Sequence, residues 1–310
     1  MRPISFRPSA PRDSDAAEGW ELPLLVSTRL EPPALAGFAH AFTTRLGGVS
    51  APPFDALNLG GKWGDAPDSV AENRRRLRLA VGGGRLVVAR QVHGPVIARV
   101  RARDSIEAVA RLEADGLCSD APGLTLGVFV ADCIPALLAD PRTGAFAAVH
   151  AGWRGTVAGV LPAAVRALAA EFGARPGDLR IALGPAIGPC CFEVGDEVVA
   201  AFGALFPDAR ARGVVVPSPR GAPGRSHVDL KAANRLLLER AGVAPEVIDA
   251  GAECTHCDRA RFFSFRRDGS STGRSGICGS ANSRSASASL LSLRAGRPPR
   301  SDGSRGPSTA

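Results

Sequence analysis

The sequence predicts an α/β fold of the α+β type, in which mixed β-sheets are sandwiched between helices in a single domain. Short apolar runs of strand length recur along the chain, and segments of helical periodicity lie among them without regular alternation. That irregularity disfavours a closed barrel or a doubly wound sheet, and no Pro/Gly linker divides the chain into two cores. At 310 residues, 45% hydrophobic and 22% charged, the chain has length and apolar content for a large core, which excludes a disordered chain or a disulfide mini-protein.

Taken in order, residues 1–19 are rich in Pro, Ser, Ala and Arg and are expected to be a flexible N-terminal segment. The folded domain is expected to span 20–274. Buried strands are expected at 86–89, 124–130, 145–149, 180–183 and 262–265. Helical spacing marks 157–172, 197–206 and 230–241; Pro162 is tolerated near the start of the first, and Asp229 is placed to cap the last. Residues 275–310 form a low-complexity stretch, expected to be a disordered tail.

The net charge is +8, but half of it lies in 275–310, where five Arg face the single acid Asp302. Two Lys beside 36 Arg point to GC-rich codons more than to a nucleic-acid surface, so no nucleic-acid partner is expected. No stretch approaches the roughly 20 apolar residues of a membrane span, so no membrane partner is expected either. The first 20 residues lack the continuous apolar region of a secretion signal, which implies a cytoplasmic location with its seven Cys reduced. A Cys that matters there is a ligand or a nucleophile.

Three such groups stand at strand ends: His93, Cys133 and His150. Two imidazoles and a thiolate suit Zn²⁺ with one position left open; the same trio without metal is a Cys nucleophile with a His base. Their spacing matches no zinc finger, and buried structural roles for all three are the ordinary alternative. Arg154, in the Gly-rich turn after His150, and Arg45, in a second Gly-rich turn, are candidate anion ligands. Cys254 and Cys257 have the CxxC spacing of a metal half-site, but no second CxxC completes it, and a structural role is favoured. Adjacent Cys190 and Cys191 have poor geometry for a mutual disulfide, and the Gly/Pro residues before them suggest a tight loop near a site.

Several segments in register carry a resemblance: Thr44-Arg45 with Gly47 to Ser50, Gln91-Val92-His93, Ala114-Asp115-Gly116, Ala131-Asp132-Cys133, the segment from Val149 to Gly155, and the run from Gly184 to Val194. Asp229-Leu230, Asn234, Cys254-Thr255, the segment from Phe262 to Asp268, and Thr272-Gly273-Arg274 follow. Over residues 38–274 the chain resembles the YfiH-like family, also called the laccase-domain or polyphenol oxidase family. The resemblance implies a single domain of mixed sheets between helices and a zinc site of His93, Cys133 and His150, which would also be the catalytic residues. It implies phosphorolysis of adenosine, inosine and methylthioadenosine, with adenosine deaminase as a side activity. The expected partners are then purine nucleosides and phosphate, with Arg45 and Arg154 holding the phosphate, in a monomer or weak homo-oligomer. Two alternatives attach to the same family: a peptidoglycan-editing factor that hydrolyses misbuilt muropeptide precursors through Cys133 and a His, and a weak copper-dependent polyphenol oxidase. A conventional multicopper laccase is excluded, because only three His would remain for its oxygen-reducing cluster and the only Met is Met1. Where relatives end in an apolar strand, this chain runs from Ser275 into low complexity, so loss of a final edge strand is expected.

Overall fold

A computed structural model describes residues 7–8, 22–30, 38–61, 64–218, 225–269 and 289–295. In chain order the strands are β1 (Arg7–Pro8), β2 (Leu25–Val26), β3 (Phe38–Phe42), β4 (Arg85–Val87), β5 (Ile97–Arg99), β6 (Gly116–Ser119), β7 (Leu124–Leu126), β8 (Phe129–Val130), β9 (Ile134–Ala139), β10 (Phe146–Ala151), β11 (Arg180–Leu183), β12 (Glu193–Val194), β13 (Val215–Pro217), β14 (Ser226–Val228), β15 (Ile248–Ala250) and β16 (Ser289–Ala295). The helices are α1 (Pro67–Ala80), α2 (Ile106–Arg111), α3 (Trp153–Val157), α4 (Val160–Phe172), α5 (Asp196–Leu205), α6 (Leu230–Arg240) and α7 (Phe265–Asp268).

The centre is a six-stranded sheet in the order β15-β11-β9-β10-β6-β5. Every residue of β9 and β10 is buried, so the sheet must be covered on both faces. Strand alternation sorts the two sets. Ile134, Ala136, Leu138, Ala147 and Val149 pack with Val160, Leu161 and Leu168 of α4 and with Leu237 and Leu238 of α6. Leu137, Ala139, Phe146 and Ala148 face the other way, onto Phe42, Val87, Leu124 and Leu126 of a second, seven-stranded sheet. That sheet runs β1-β2-β3-β16-β7-β4, with β8 on β16, and its outer face meets Leu77 and Ala80 of α1. Helix, sheet, sheet and helix therefore stack in that order, which is the architecture expected. A small sheet, β12-β14-β13, lies beside α5. Both large sheets are mixed: β4 with β7, β5 with β6, and β11 with β15 are parallel pairs.

Strand 180–183 and helices 197–206 and 230–241 form within a residue of their expected bounds, and the Asp229 carboxylate caps α6 by accepting from Ala232 N at 2.9 Å. Other elements differ. The helix expected over 157–172 is broken into α3 and α4 at Gly159, whose φ is 78°. The strand expected over 124–130 is split into β7 and β8 around Gly127 and Val128. Residues 262–265 do not form a strand. Phe262 and Phe263 are buried as expected, but the Phe262 carbonyl accepts from Arg267 Nη2 at 2.8 Å, and Ser264 Oγ accepts from Arg267 N to start α7. β9 and α1 were not foreseen.

The sheet also keeps a strand where none was expected. Within 275–310, Ser289–Ala295 runs antiparallel to β3, with Leu291 opposite Phe42 and Ala295 opposite Phe38. Within 1–19, Arg7 and Pro8 pair with Val26 and Leu25. Thr272, Arg274 and Cys278 lie outside the described residues. Among the described residues no helix is long and apolar enough to cross a membrane.

Candidate active site

Three neighbouring strands of the central sheet bring the site together. In the register of β10 with β6, Val149 lies opposite Gly116, so His150 is next to Asp115; in the register of β10 with β9, Ala151 lies opposite Ile134, so Cys133 is next to Gly152. His93 comes from the loop after β4. The His93, Cys133 and His150 ligand atoms all lie within 4.8 Å of one another, and the two imidazoles meet edge to face with centroids 4.8 Å apart.

Asp115 is the residue that ties them. It is fully buried, and its Oδ1 lies 2.7 Å from His150 Nδ1. It also accepts from the backbone N–H of His93 at 2.9 Å, of Val92 at 3.0 Å and of Gly94 at 2.8 Å. Burial alone would raise this carboxyl, but the His150 bond and the Gly94 and Val92 amides outweigh it and hold the pKa below the usual carboxylate value. A carboxylate there takes the Nδ1 proton of His150 as its hydrogen bond, which leaves the Nε2 lone pair for a ligand. His93 is pushed down to about 4, first by burial, then by the neighbouring His150 and Arg154, against the opposing pull of Asp115. It is therefore neutral, and able to donate a lone pair, at neutral pH.

Two residues here adopt the left-handed backbone that side chains rarely take: His93 at φ 62° and Asp132 at φ 85°. Each costs about 1–3 kcal/mol and must be held by its surroundings. The Asp115 bonds hold His93. Asp132 is held by Thr255 Oγ1 at 2.6 Å, Ser264 Oγ at 3.0 Å and Arg266 N at 2.6 Å, while its carbonyl accepts from Ile187 N at 2.9 Å. The next residue is Cys133, so these bonds aim its thiol. Gly152 completes the fit. A Cβ there would lie 2.9 Å from Cys133 Sγ and 3.0 Å from His93 Cδ2, too close for either to keep its place.

The chemistry of the donor set fits a soft or borderline divalent metal: two imidazole nitrogens and one sulfur, with the His150 ring fixed by a carboxylate. The candidate anion ligands sit in different surroundings. Arg45 donates Nε and Nη2 to the Asp55 carbonyl at 2.9 and 2.7 Å, and Nη2 also reaches Asp55 Oδ2 at 3.1 Å. Its guanidinium lies 4.4 Å from the Phe263 ring centroid. Arg154 stacks over Trp153 at 4.3 Å, and its charge reaches His93. Helix α3, which carries it, has five residues.

The family model described as multi-copper polyphenol oxidoreductase laccase matches residues 39–278. The chain belongs to this family. The purine nucleoside phosphorylase YlmD of Geobacillus stearothermophilus is 39% identical to it over 267 residues, covering 83% of this chain and 93% of the relative. The purine nucleoside phosphorylase YfiH of Escherichia coli is 41% identical over 243 residues, covering 77% of this chain and 91% of the relative. The crystal structure of YlmD from G. stearothermophilus superposes with a TM-score of 0.77 at 34% identity, covering 96% of this chain and all of that one. The family reading and the single-domain α/β architecture expected from the sequence both hold. The family's multi-copper description meets a shortage of imidazoles in this chain. His40 Nε2 accepts from Ser27 N at 2.9 Å and His227 Nδ1 lies 2.6 Å from the Pro189 carbonyl. Among the described residues, the only other cluster able to hold a metal is made of cysteines.

The structure brings His93, Cys133 and His150 together as the sequence suggested. The part played by Asp115 was not legible, although its Ala-Asp-Gly segment was. Thr255, Ser264 and Arg266 were visible as motif residues with no role attached; the fold shows that they set the backbone before Cys133.

Proposed function

We propose that the chain is a cytoplasmic, zinc-dependent purine nucleoside phosphorylase acting on adenosine, inosine and methylthioadenosine, with adenosine deaminase as a side activity. The observation that carries this is the convergence of His93, Cys133 and His150 around the Asp115 carboxylate, in a chain 39% and 41% identical to two curated purine nucleoside phosphorylases over most of its length. His93, Cys133 and His150 would hold the metal, and zinc bound there would supply the Lewis acidity that deamination needs.

The chain's own residues do the rest. Asp115 fixes the tautomer of His150 and the backbone of His93, so the donor atoms are set before anything binds. In phosphorolysis the glycosidic bond to the purine breaks as a phosphate oxygen bonds to C1′ of the ribose. Arg154 and Arg45 hold and orient that dianion, Arg45 from its place beside Asp55.

The test is release of base from adenosine and inosine with and without phosphate. The proposal expects adenine or hypoxanthine to appear with phosphate only, and Arg154→Ala and Arg45→Ala each to raise KM for phosphate. Phosphate-independent release, or none from folded, metal-loaded protein, would contradict it; turnover of muropeptide precursors in that case would establish the editing role instead.

A further inference from the structure

A second cluster of soft ligands lies apart from this site. Cys190 and Cys191, in the loop before β12, meet Cys254 and Cys257, and all four sulfurs lie within 4.8 Å of one another. Cys257 Sγ is 3.7 Å from Cys190 Sγ and 3.4 Å from Cys191 Sγ, and all four are free thiols. The sequence offered only half of a metal site in Cys254 and Cys257; the fold supplies the other half from a dipeptide that no zinc-ribbon spacing would flag. We infer that Cys190, Cys191, Cys254 and Cys257 form a tetrathiolate site for a structural zinc ion, distinct from the His93, Cys133 and His150 cluster.

Four observations support the assignment. Zinc held by four thiolates at about 2.3 Å sets their sulfurs about 3.8 Å apart, the scale seen here, whereas a disulfide bond is about 2.05 Å. Hydrogen-bond donors are already placed on a sulfur: the Gly188 amide donates to Cys254 Sγ at 3.2 Å. A Cβ at Gly188 would lie 3.3 Å from Cys190 Sγ and 3.5 Å from Cys254 Sγ, so the missing side chain leaves room for the sulfurs to close on an ion. Cations flank the cluster. Arg267 Nη1 donates to the Thr255 and His256 carbonyls at 2.9 and 3.0 Å, and buried Lys231 reaches the Gly251 and Glu253 carbonyls beside Cys254. Arg267 is itself paired with Asp268 at 2.8 Å, so of the two it is Lys231 that offsets part of the net double negative charge of four thiolates around one Zn²⁺.

Without a cation the thiols oppose one another. Burial, then the Cys254 and Cys257 neighbours, push Cys190 up to about 11, and burial and Cys257 push Cys191 higher still. Burial also works against Cys254, but the Gly188 and Cys257 amides outweigh it and lower its pKa. Each thiol that becomes a ligand releases its proton on binding.

The site has a mechanical purpose. It pins the 184–194 loop to the 254–257 turn, joined also by Thr255 N donating to the Ala186 carbonyl at 3.1 Å. From that turn Thr255 holds Asp132, and from that loop Ile187 holds the Asp132 carbonyl. The thiolate site thus braces the backbone that aims Cys133.

The experiment uses the full chain carrying His93→Ala and Cys133→Ala together, so that the mixed site is broken, purified with reductant and zinc chloride. The inference expects one zinc per chain to remain after desalting, and a mercurial thiol reagent to release it as four thiols react. Substitution by Co²⁺ should give the intense charge-transfer and red absorption of tetrathiolate coordination. Adding Cys254→Ser should abolish the bound zinc; if that protein does not fold, the mercurial titration and the cobalt spectrum decide the matter. A zinc-free double variant with freely titrating thiols, a spectrum with fewer sulfur ligands, or a mapped disulfide from Cys257 to Cys190 or Cys191 in the native protein would overturn it.

Discussion

At the His93, Cys133 and His150 cluster, two imidazoles and a thiol project from strand ends and a loop in left-handed backbone, with a glycine leaving space on one side. At the Cys190, Cys191, Cys254 and Cys257 cluster, four thiols close on one another from a loop and a turn, and every position is filled by protein. Both sets could bind zinc, yet they are built for different ends. Three ligands leave a position where a reacting group can enter, while four leave none. Backbone strain follows the same division: among the described residues the two non-glycine residues with positive φ are His93 and Asp132, and both belong to the open cluster. The closed cluster is instead connected to the open one through Thr255 and Ile187, so one site supplies the rigidity that the other uses.

The largest effect that would sharpen this contrast comes from Asp115, which touches only the open cluster. Asp115→Asn keeps the shape but loses a charged acceptor shared by His150 and three backbone amides. Activity, or metal affinity at the open cluster, is expected to fall about 10–100-fold. Metal analysis should show zinc at the cysteine cluster unchanged; equal loss at both clusters would mean that the carboxylate supports the fold generally and not the site.

A smaller effect concerns pH. His93 has a folded pKa of about 4 against an ordinary value of 6.5, so between those values the unfolded chain binds more protons than the metal-free folded chain. Stability of the metal-free protein should therefore fall as pH drops from about 6.5 toward about 4, and this contribution should level off below that. Urea titrations across that window should show a shallower slope in His93→Gln. An unchanged slope would place the proton uptake elsewhere.

The layered architecture was legible because burial writes itself into apolar runs: 145–149 and 180–183 sit in the central sheet, and the α6 segment begins at its capping Asp229. What failed was backbone geometry set by distant partners. Phe262 and Phe263 read as a strand because they are buried, but the Arg267 guanidinium takes the carbonyl that a neighbouring strand would have taken. Gly159 reads as an ordinary helix residue until its φ is known. β16 was hidden because its Leu-Leu-Ser-Leu sequence lies in a stretch dominated by Ser, Arg and Gly.

The site divides in the same way. His93, Cys133 and His150 announce themselves as titratable groups at strand ends. Asp115 does not, since a carboxylate becomes an orienting group only once β6 and β10 are in register. Nor does the pairing of Cys190 and Cys191 with Cys254 and Cys257, which no local spacing encodes.

The most direct measurement compares phosphate-dependent hypoxanthine release from inosine by Cys133→Ala and by Cys257→Ser, each with its zinc content determined. The account predicts that Cys133→Ala falls to background while keeping the zinc of the cysteine cluster, and that Cys257→Ser loses that zinc and turns over inosine more slowly but above background. Phosphorolysis that persists in Cys133→Ala would contradict it.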